Sequence, residues 1–160
     1  LTVEQNERLL VMSFPAQPPV PCQIPDEIIN AFQFTPIECL KSEDYIVVFG
    51  SEEEIAAAKP NLLELSKLDL RGVVITAKSN KYDFVARFFA PKYGIDEDPV
   101  TGSAYTQLIP YWSDTLGATK LNAKQVSSRG GEVFCELASN RVSIAGKAIT
   151  YLVGKIEIKT

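Results

Sequence analysis

The chain has 160 residues, of which 46% are hydrophobic and 22% are charged, and its formal net charge is -4. This length suits one ordinary domain or two small ones with a buried core, and the composition excludes a disordered chain. The absence of clustered Lys and Arg disfavours a nucleic-acid partner, and apolar stretches such as residues 45–49 are far too short to span a membrane.

The first half of the chain predicts short strands and helices around a proline-rich connector. Five prolines lie between Pro15 and Pro25, which is typical of an extended, semi-rigid segment. In chain order, the predicted elements are a hairpin or two short strands over residues 3–14 with a turn near Asn6-Glu7, a connector over 15–25, a helix over 26–32, a buried strand over 45–49, short capped helices beginning near Ser51 and Asn61, and strands over 71–79 and 82–91.

The second half predicts one buried helix followed by a meander. Apolar residues recur at helical spacing from residue 104 to residue 116, and Pro110 is expected to bend this helix. Residues 120–159 alternate between polar and apolar side chains, with turn residues at intervals, as in antiparallel strands. These elements predict an α+β fold in which a mostly antiparallel sheet is wrapped around a central buried helix.

Two features of the composition narrow the chemistry. The chain has no histidine, which removes the commonest general base and the commonest metal ligand. Its three cysteines, Cys22, Cys39 and Cys135, form no CxxC motif, so we interpret them as small buried hydrophobic residues rather than catalytic thiols. Reduced thiols and the lack of a signal-peptide pattern indicate a cytoplasmic protein, and no metal site is expected.

The stretch "GIDEDPVTGSA", residues 94–104, has the clearest chemical pattern. It delivers Thr-Gly-Ser to the predicted start of a helix, where free amides and the helix dipole favour an anion. Gly102 allows close approach of the backbone to a ligand, Ser103 adds a hydroxyl donor, and Asp98 lies beside them. This arrangement suits proton transfer on a carboxylate-bearing substrate.

The same residues also fit a purely structural explanation. Asp-Pro commonly begins turns and helix caps, and Gly-Ser can simply join a strand to a helix. The spacing taken alone favours this structural explanation, because short motifs have a high false-positive rate.

A longer run of sequence resembles a known family. The string "DFVARFFAPKYGIDEDPVTGSA", followed by "LIPYW", "QVSSRGGEV" and "VSIAGKAI", closely resembles the C-terminal half of the phenazine-biosynthesis-like isomerases. The resemblance runs from about residue 82 to the end, and "SFPAQPP" near the start resembles the beginning of that half. It implies one lobe of a diaminopimelate epimerase-type fold, with the active site in a cleft between two similar lobes.

The resemblance also assigns roles to residues. Asp98 matches the active-site aspartate of the family, and Thr101, Gly102 and Ser103 lie where the substrate carboxylate is held. Close relatives often have His-Cys where this chain has Tyr105-Thr106, a difference that is expected to alter the pocket wall. The resemblance further implies that residues 1–24 lead in from a missing N-terminal lobe and that residues 25–160 form the C-terminal lobe.

The expected function is that of a cofactor-independent isomerase that moves a proton on a small carboxylate-bearing metabolite. The missing lobe would supply a catalytic glutamate, and Asp98 would assist. Asp98-Pro99-Val100 replaces the cysteine that diaminopimelate epimerases and proline racemases carry before their Thr-Gly, which disfavours a two-thiol mechanism. The alternative is a non-catalytic ligand-binding or protein-interaction module. No nucleic acid or membrane partner is expected, and a homodimer is left open.

Other charged and aromatic residues have simpler explanations. Arg87 is expected to pair with Asp83 on the same face of a strand, and Glu97 to be a solvated loop acid. Arg129 either borders the cleft or belongs to a hairpin turn, and the two alternatives stay equal. Tyr111 and Trp112 are expected in the core.

Overall fold

The computed structural model describes residues 2–6 and 8–157. Its strands form one mixed, 11-stranded sheet in the order β1-β2-β11-β10-β9-β7-β6-β5-β4-β3, and β8 pairs with β7 off this path. The strands are β1 (Val3–Asn6), β2 (Leu9–Pro15), β3 (Val20–Pro21), β4 (Glu38–Lys41), β5 (Tyr45–Val48), β6 (Val73–Lys78), β7 (Phe84–Ala90), β8 (Ile95–Asp98), β9 (Lys120–Gln125), β10 (Gly131–Ala138) and β11 (Arg141–Lys147). The helices are α1 (Asp26–Ala31), α2 (Glu52–Ala57), α3 (Leu62–Leu65) and α4 (Tyr105–Leu116), with 3₁₀ turns at Pro91–Tyr93 and Gly102–Ala104.

The sheet is mostly antiparallel, as the sequence predicted. Among the described residues, β5 with β6 and β7 with β9 are the parallel pairs. A parallel pair needs a long crossover connection. The crossover from β7 to β9 consists of β8, the Asp98–Ala104 segment and α4. The motif of interest therefore lies inside this crossover, next to the strands that it connects.

The two faces of the sheet carry separate hydrophobic clusters. One cluster contains the buried side chains of α4 together with side chains from β4–β7 and β9–β11. The other contains buried residues of α1, α2 and α3. Strand β7 shows the alternation that the sequence predicted, with Phe84 and Phe88 in the first cluster and Val85 and Phe89 in the second. Helix α4 is thus packed against strands from most of the sheet.

The ends of the helices follow the predicted capping signals. Ser51 Oγ accepts a hydrogen bond from the amide of Glu54 at 3.3 Å, and Asn61 Oδ1 accepts one from the amide of Leu63 at 3.1 Å. Helix α4 ends at Gly117, whose φ of 65° lies in the left-handed region that glycine adopts without strain.

The structure departs from the sequence predictions at β8 and after β11, and it confirms the predicted N-terminal hairpin. Strand β8 was not predicted, because "IDED" has the composition of a loop. The predicted final strand is wrong for residues 148–157, which lie outside the sheet, and residues 158–160 fall outside the described residues. The predicted N-terminal hairpin is confirmed, since β1 and β2 pair antiparallel and β2 continues the sheet beside β11, although Glu7 in its turn is not described.

Candidate functional site

The segment between β8 and α4 ends in a turn with free donors. The 3₁₀ turn at Gly102–Ala104 leads directly into α4, and the amide of Ala104 donates to the carbonyl of Thr101 at 3.2 Å. The amides of Gly102 and Ser103 have no acceptor among the described residues. Such amides at the start of a helix attract an anion, and the helix dipole adds to that attraction.

Asp98 is held in place by hydrogen bonds from two side chains. Thr101 Oγ1 donates to Asp98 Oδ2 at 2.6 Å, and Gln125 Nε2 donates to the Asp98 carbonyl at 2.7 Å. Gln125 Nε2 also lies 3.2 Å from Thr101 Oγ1, and Gln125 Oε1 accepts from the Thr101 amide at 2.8 Å. The Thr101 hydroxyl, predicted from the resemblance to bind substrate, is therefore engaged with Asp98 in the structure.

Gln125 is a site residue that the sequence analysis missed. It is 1% exposed and lies on β9 at the position that continues the inward-facing pair Leu121 and Ala123. The sequence did contain a signal for Gln125, namely a polar residue at a strand position that faces the core. A buried side-chain amide needs hydrogen-bond partners, so such a residue indicates a polar contact nearby.

Residues of this segment line two cavities. One, of about 570 Å³, is lined by Asp98, Thr101 and Ser103 together with Arg71. The other, of about 430 Å³, contains Gly102. Glu43, Phe88, Ala90, Tyr93 and Ile95 complete the first cavity, hereafter the Asp98 cavity. Three of the four predicted site residues thus share one cavity, and Gly102 faces the neighbouring one.

The wall of the Asp98 cavity carries a fixed cation. Arg71 Nε and Nη2 donate to the two carboxylate oxygens of Asp44 at 2.9 and 2.6 Å, and Arg71 Nη1 lies 3.1 Å from Glu43 Oε1. Hydrogen bonding to Asp44 raises the pKa of Arg71. Asp44 is completely buried and is also bonded to Gln107 of α4, through Gln107 Nε2 at 2.7 Å and through its own amide at 3.0 Å. This network ties the wall of the cavity to the first turn of α4.

Gly102 has a different structural role from Gly131, its neighbour in space. A Cβ added at Gly131 would lie 2.6 Å from Val100 Cγ2, so close packing requires glycine there. A Cβ added at Gly102 would meet nothing within 4 Å, and Gly102 has no positive φ. Neither packing nor a positive φ therefore requires glycine at position 102.

The structure corrects the ion pair predicted for Arg87. Arg87 binds Glu97 with two hydrogen bonds, Nε to Oε1 at 2.7 Å and Nη2 to Oε2 at 3.0 Å. Its Nη1 donates to the carbonyls of Ile55 and Ala58, at the end of α2. Asp83 instead accepts from the amide of Asn122 at 2.6 Å. The pairing with Asp83 was wrong, and so was the solvated Glu97, because the unpredicted strand β8 brings Glu97 beside Arg87.

Several neighbouring residues also differ from expectation. Tyr105 is fully buried against Phe84 in the core, so it does not form a pocket wall. Thr106 Oγ1 lies 2.7 Å from the Ser103 carbonyl. Arg129 belongs to the hairpin turn between β9 and β10, next to Gly130 with its φ of 66°, and it also lines the cavity of Gly102.

The remaining predictions concern core residues, cysteines and metals. Trp112 is buried as predicted, and its Nε1 donates to Thr76 Oγ1 at 3.1 Å, while Tyr111 is partly buried. Cys39 and Cys135 are buried as predicted, and Cys22 is partly exposed. Across residues 2–6 and 8–157, no three His, Cys, Asp or Glu side chains are grouped closely enough to hold a metal ion. In the same ranges, no helix combines the length and apolar character that crossing a bilayer needs.

Comparison with known proteins identifies the sequence family. Residues 4–154 match the family described as PhzC-PhzF, phenazine biosynthesis-like protein. Two proteins of Pseudomonas aeruginosa, each named as an uncharacterized isomerase, are 44% and 45% identical over 158 and 159 residues. Both alignments cover 99% of this chain and 61% of the relative. The matched part of each relative is therefore larger than the C-terminal half that the sequence resemblance implied.

The fold has a close counterpart among solved structures. A crystal structure of a phenazine biosynthesis protein of the PhzF family from Enterococcus faecalis superimposes with a TM-score of 0.91 and 39% identity. The match covers 98% of this chain and 60% of the other. The α+β fold with its mixed sheet is therefore shared with that structure.

Proposed function

The chain belongs to the PhzC-PhzF phenazine biosynthesis-like family, and we propose that it acts as part of a cofactor-independent isomerase. The proposed reaction moves a proton on a small carboxylate-bearing metabolite. The observation that carries the proposal is the Asp98 cavity, which is lined both by Asp98 and by Ser103 in the turn before α4. Two relatives named as isomerases add support.

In this proposal the substrate carboxylate binds at the start of the 3₁₀ turn, where the neighbouring residues Gly102 and Ser103 line the two adjoining cavities. The unpaired amides of Gly102 and Ser103 and the Ser103 hydroxyl donate to it, and the absence of a Cβ at position 102 allows its approach. Arg71 lines the same cavity, but the two carboxylates that it binds, Asp44 and Glu43, outweigh its single positive charge, so the amides and the Ser103 hydroxyl supply the attraction for the substrate. The carboxylate thereby fixes the substrate next to Asp98.

Asp98 then assists the transfer of the proton. Its Oδ2 is held by Thr101, while Oδ1 has no hydrogen bond to the described residues and is available to a substrate. The hydrogen bond from Thr101 fixes the carboxylate and the one from Gln125 fixes the Asp98 backbone carbonyl before the substrate binds. Thr101 therefore acts on the substrate through Asp98 rather than by direct contact.

The principal acid or base is proposed to be a glutamate on a second, N-terminal lobe. Residues 25–160 would form the C-terminal lobe of a diaminopimelate epimerase-type fold, and residues 1–24 would lead in from the first lobe while adding strands β1, β2 and β3 to the sheet of the C-terminal lobe. The support is a run of strongly exposed apolar side chains near the C-terminus, a pattern that is typical of a surface that meets another body. These side chains are Ile149, Tyr151, Leu152, Val153 and Ile156.

The test is a proton-exchange assay, which detects removal of a substrate proton whichever product is formed. The full-length protein is incubated in D₂O with a panel of small unsaturated and hydroxylated carboxylates, and loss of C–H signals is followed by NMR. Asp98→Asn should lower the exchange rate by about a hundred- to ten-thousand-fold. The matched control is Asp96→Asn, an exposed carboxylate two positions away on β8, which should leave the rate unchanged.

Two results would contradict the proposal. An Asp98→Asn protein that exchanges as fast as the wild type would remove Asp98 from the mechanism. Carboxylate binding without exchange anywhere in the panel would indicate a non-catalytic ligand-binding module.

A further inference from the structure

Cys22 and Cys39 form a pair of thiols at the edge of the sheet, far in sequence from the Asp98 motif. The Cys22 thiol donates to Cys39 Sγ at an Sγ–Sγ distance of 3.6 Å. Strands β3 and β4 pair Val20 with Lys41 and Pro21 with Leu40, so the next residues in register are the two cysteines. The amide of Cys22 donates to the carbonyl of Cys39 at 2.9 Å, which fixes the two backbones at this position.

This geometry suits a covalent bond between the two sulfur atoms. A disulfide has an S–S length of about 2.0 Å, so the sulfur atoms need to approach by about 1.6 Å, which a change of side-chain torsion can provide. Cys135 lies in the hydrophobic cluster on the other face of the sheet and does not compete. The two thiols are therefore a preformed pair.

We propose that Cys22 and Cys39 are a redox-sensitive modification site that forms a reversible disulfide by exchange with a small-molecule disulfide. Cys22 is partly exposed whereas Cys39 is 3% exposed, so the small molecule meets Cys22 first. This site is separate from the isomerase site and does not depend on that proposal.

The reaction proceeds in two balanced exchanges. The Cys22 thiolate attacks one sulfur of the small disulfide, whose S–S bond breaks, and one small thiolate leaves. Cys39 then loses its proton to solvent and attacks Cys22 Sγ, the new Sγ–Sγ bond forms, and the second small thiolate leaves. Two cysteine thiols are oxidised by two electrons, the small disulfide is reduced to two thiols, and these take up the two protons.

The second exchange is expected to be the slower one. Burial, together with the neighbouring Cys22 and Glu38, raises the pKa of the Cys39 thiol to about 12. Only the thiolate is nucleophilic, and below that pKa its fraction rises about tenfold for each unit by which the pH increases. The closing step should therefore accelerate with pH, and the site should respond slowly near neutral pH.

The bond would clamp the proline-rich connector. Strand β3 has two residues, one of them proline, so its own ladder is weak, and Val20 is 57% exposed. The start of the connector is already held where the Gln17 amide donates to the Thr106 carbonyl at 2.9 Å. A crosslink at Cys22 would fix its other end against β4, so the oxidation state would set how firmly residues 18–21 are held.

The test uses the purified protein and glutathione disulfide. After an acid quench, denaturation and alkylation of free thiols, a non-reducing digest is analysed by mass spectrometry. The expected product joins the Cys22 and Cys39 peptides, leaves Cys135 alkylated, and disappears on reduction. The fraction of the protein that is crosslinked should not depend on protein concentration. A stable glutathione adduct on Cys22 without the crosslink, a crosslink between chains, or unreacted Cys22 would each overturn the proposal.

Variants and pH sharpen this test. Cys135→Ser should leave the crosslink unchanged, and Cys22→Ser should abolish it. With saturating glutathione disulfide, the crosslinking rate should rise about tenfold per unit between about pH 7 and 9, and a flat profile would contradict attack by Cys39. In the crosslinked protein the amide of Val20 should exchange with solvent more slowly than in the reduced protein, and equal exchange would contradict the clamp.

Discussion

The backbone amide of Thr101 donates a hydrogen bond to the side chain of Gln125 at 2.8 Å. The same carboxamide donates to the carbonyl of Asp98 at 2.7 Å, so one buried side chain holds both ends of the Asp98–Thr101 turn. Gln125 belongs to β9, so this strand positions a turn that lies earlier in the chain, in the crossover from β7 to β9. This relationship makes Gln125 a positioning residue for the proposed site.

Replacing Gln125 with Leu should loosen this turn. The Thr101 amide would lose its acceptor, and an unsatisfied buried donor costs about 1–3 kcal/mol, so the free energy of unfolding should fall by that amount. Amide hydrogen exchange at Thr101 should become faster, and urea denaturation measures the loss of stability. Gln107→Leu is the matched control, since this buried amide bonds to Asp44 instead and should leave exchange at Thr101 unchanged. Unchanged protection of Thr101 in Gln125→Leu would contradict the role of Gln125.

A double-mutant cycle should detect the ion pair of Arg87 with Glu97. The two side chains are 12% and 24% exposed and share two hydrogen bonds, so Arg87→Met and Glu97→Gln should show a coupling energy of about 1–3 kcal/mol in chemical denaturation. The control cycle pairs Arg87→Met with Asp83→Asn and should give a coupling near zero. A larger coupling energy between Arg87 and Asp83 than between Arg87 and Glu97 would contradict the ion pair in the structure and support the Arg87–Asp83 pair predicted from the sequence.

The sequence predicts an element well when its apolar residues keep a regular period over a long segment or when its ends carry clear capping residues. Strand β7 and helix α4 are examples, because their apolar residues follow periods of about 2 and 3.6. Strand β8 could not be predicted, since its acidic residues are accommodated by tertiary contacts such as that of Glu97 with Arg87. Residues 148–157 have a strand pattern but no neighbour in the sheet, and a strand needs a partner for its backbone groups.

The sequence predicted the part of the candidate site that is local in sequence and missed the part that depends on tertiary contacts. Asp98, Thr101 and Ser103 stand close together in sequence and share a cavity in the structure. Arg71 and Gln125 reach them through long-range pairing, which no local pattern encodes. The unused signals were polar residues at inward-facing positions, at Gln107 on α4 and Gln125 on β9.

Removing the hydroxyl of Tyr105 should not destabilise the protein. This hydroxyl is buried and has no hydrogen-bond partner among the described residues, so Tyr105→Phe should leave the free energy of unfolding unchanged or raise it. The comparison is Tyr111→Phe, which removes a hydrogen bond to Glu38 at 3.0 Å and should lower that free energy by about 1 kcal/mol. A large loss of stability in Tyr105→Phe would mean that its hydroxyl has a partner.

Gly102→Ala should separate ligand binding from folding. The added Cβ meets no protein atom within 4 Å, so the melting temperature should hardly change, whereas the methyl group would occupy the approach of a carboxylate. Titration with sulfate or a small carboxylate, followed by the amide shifts of Gly102 and Ser103, should show weaker binding in the variant. Equal affinity in both proteins would contradict an anion site at this turn.

The requirement for a second lobe is the central claim, and proton exchange by the 160-residue chain tests it most directly. The chain and the full-length protein are compared in D₂O on a carboxylate that the full-length protein exchanges. The chain alone should bind the carboxylate at Gly102 and Ser103 yet exchange its protons at least about a hundredfold more slowly, because the proposed principal base belongs to the N-terminal lobe. Exchange by the chain alone at the rate of the full-length protein would contradict the claim.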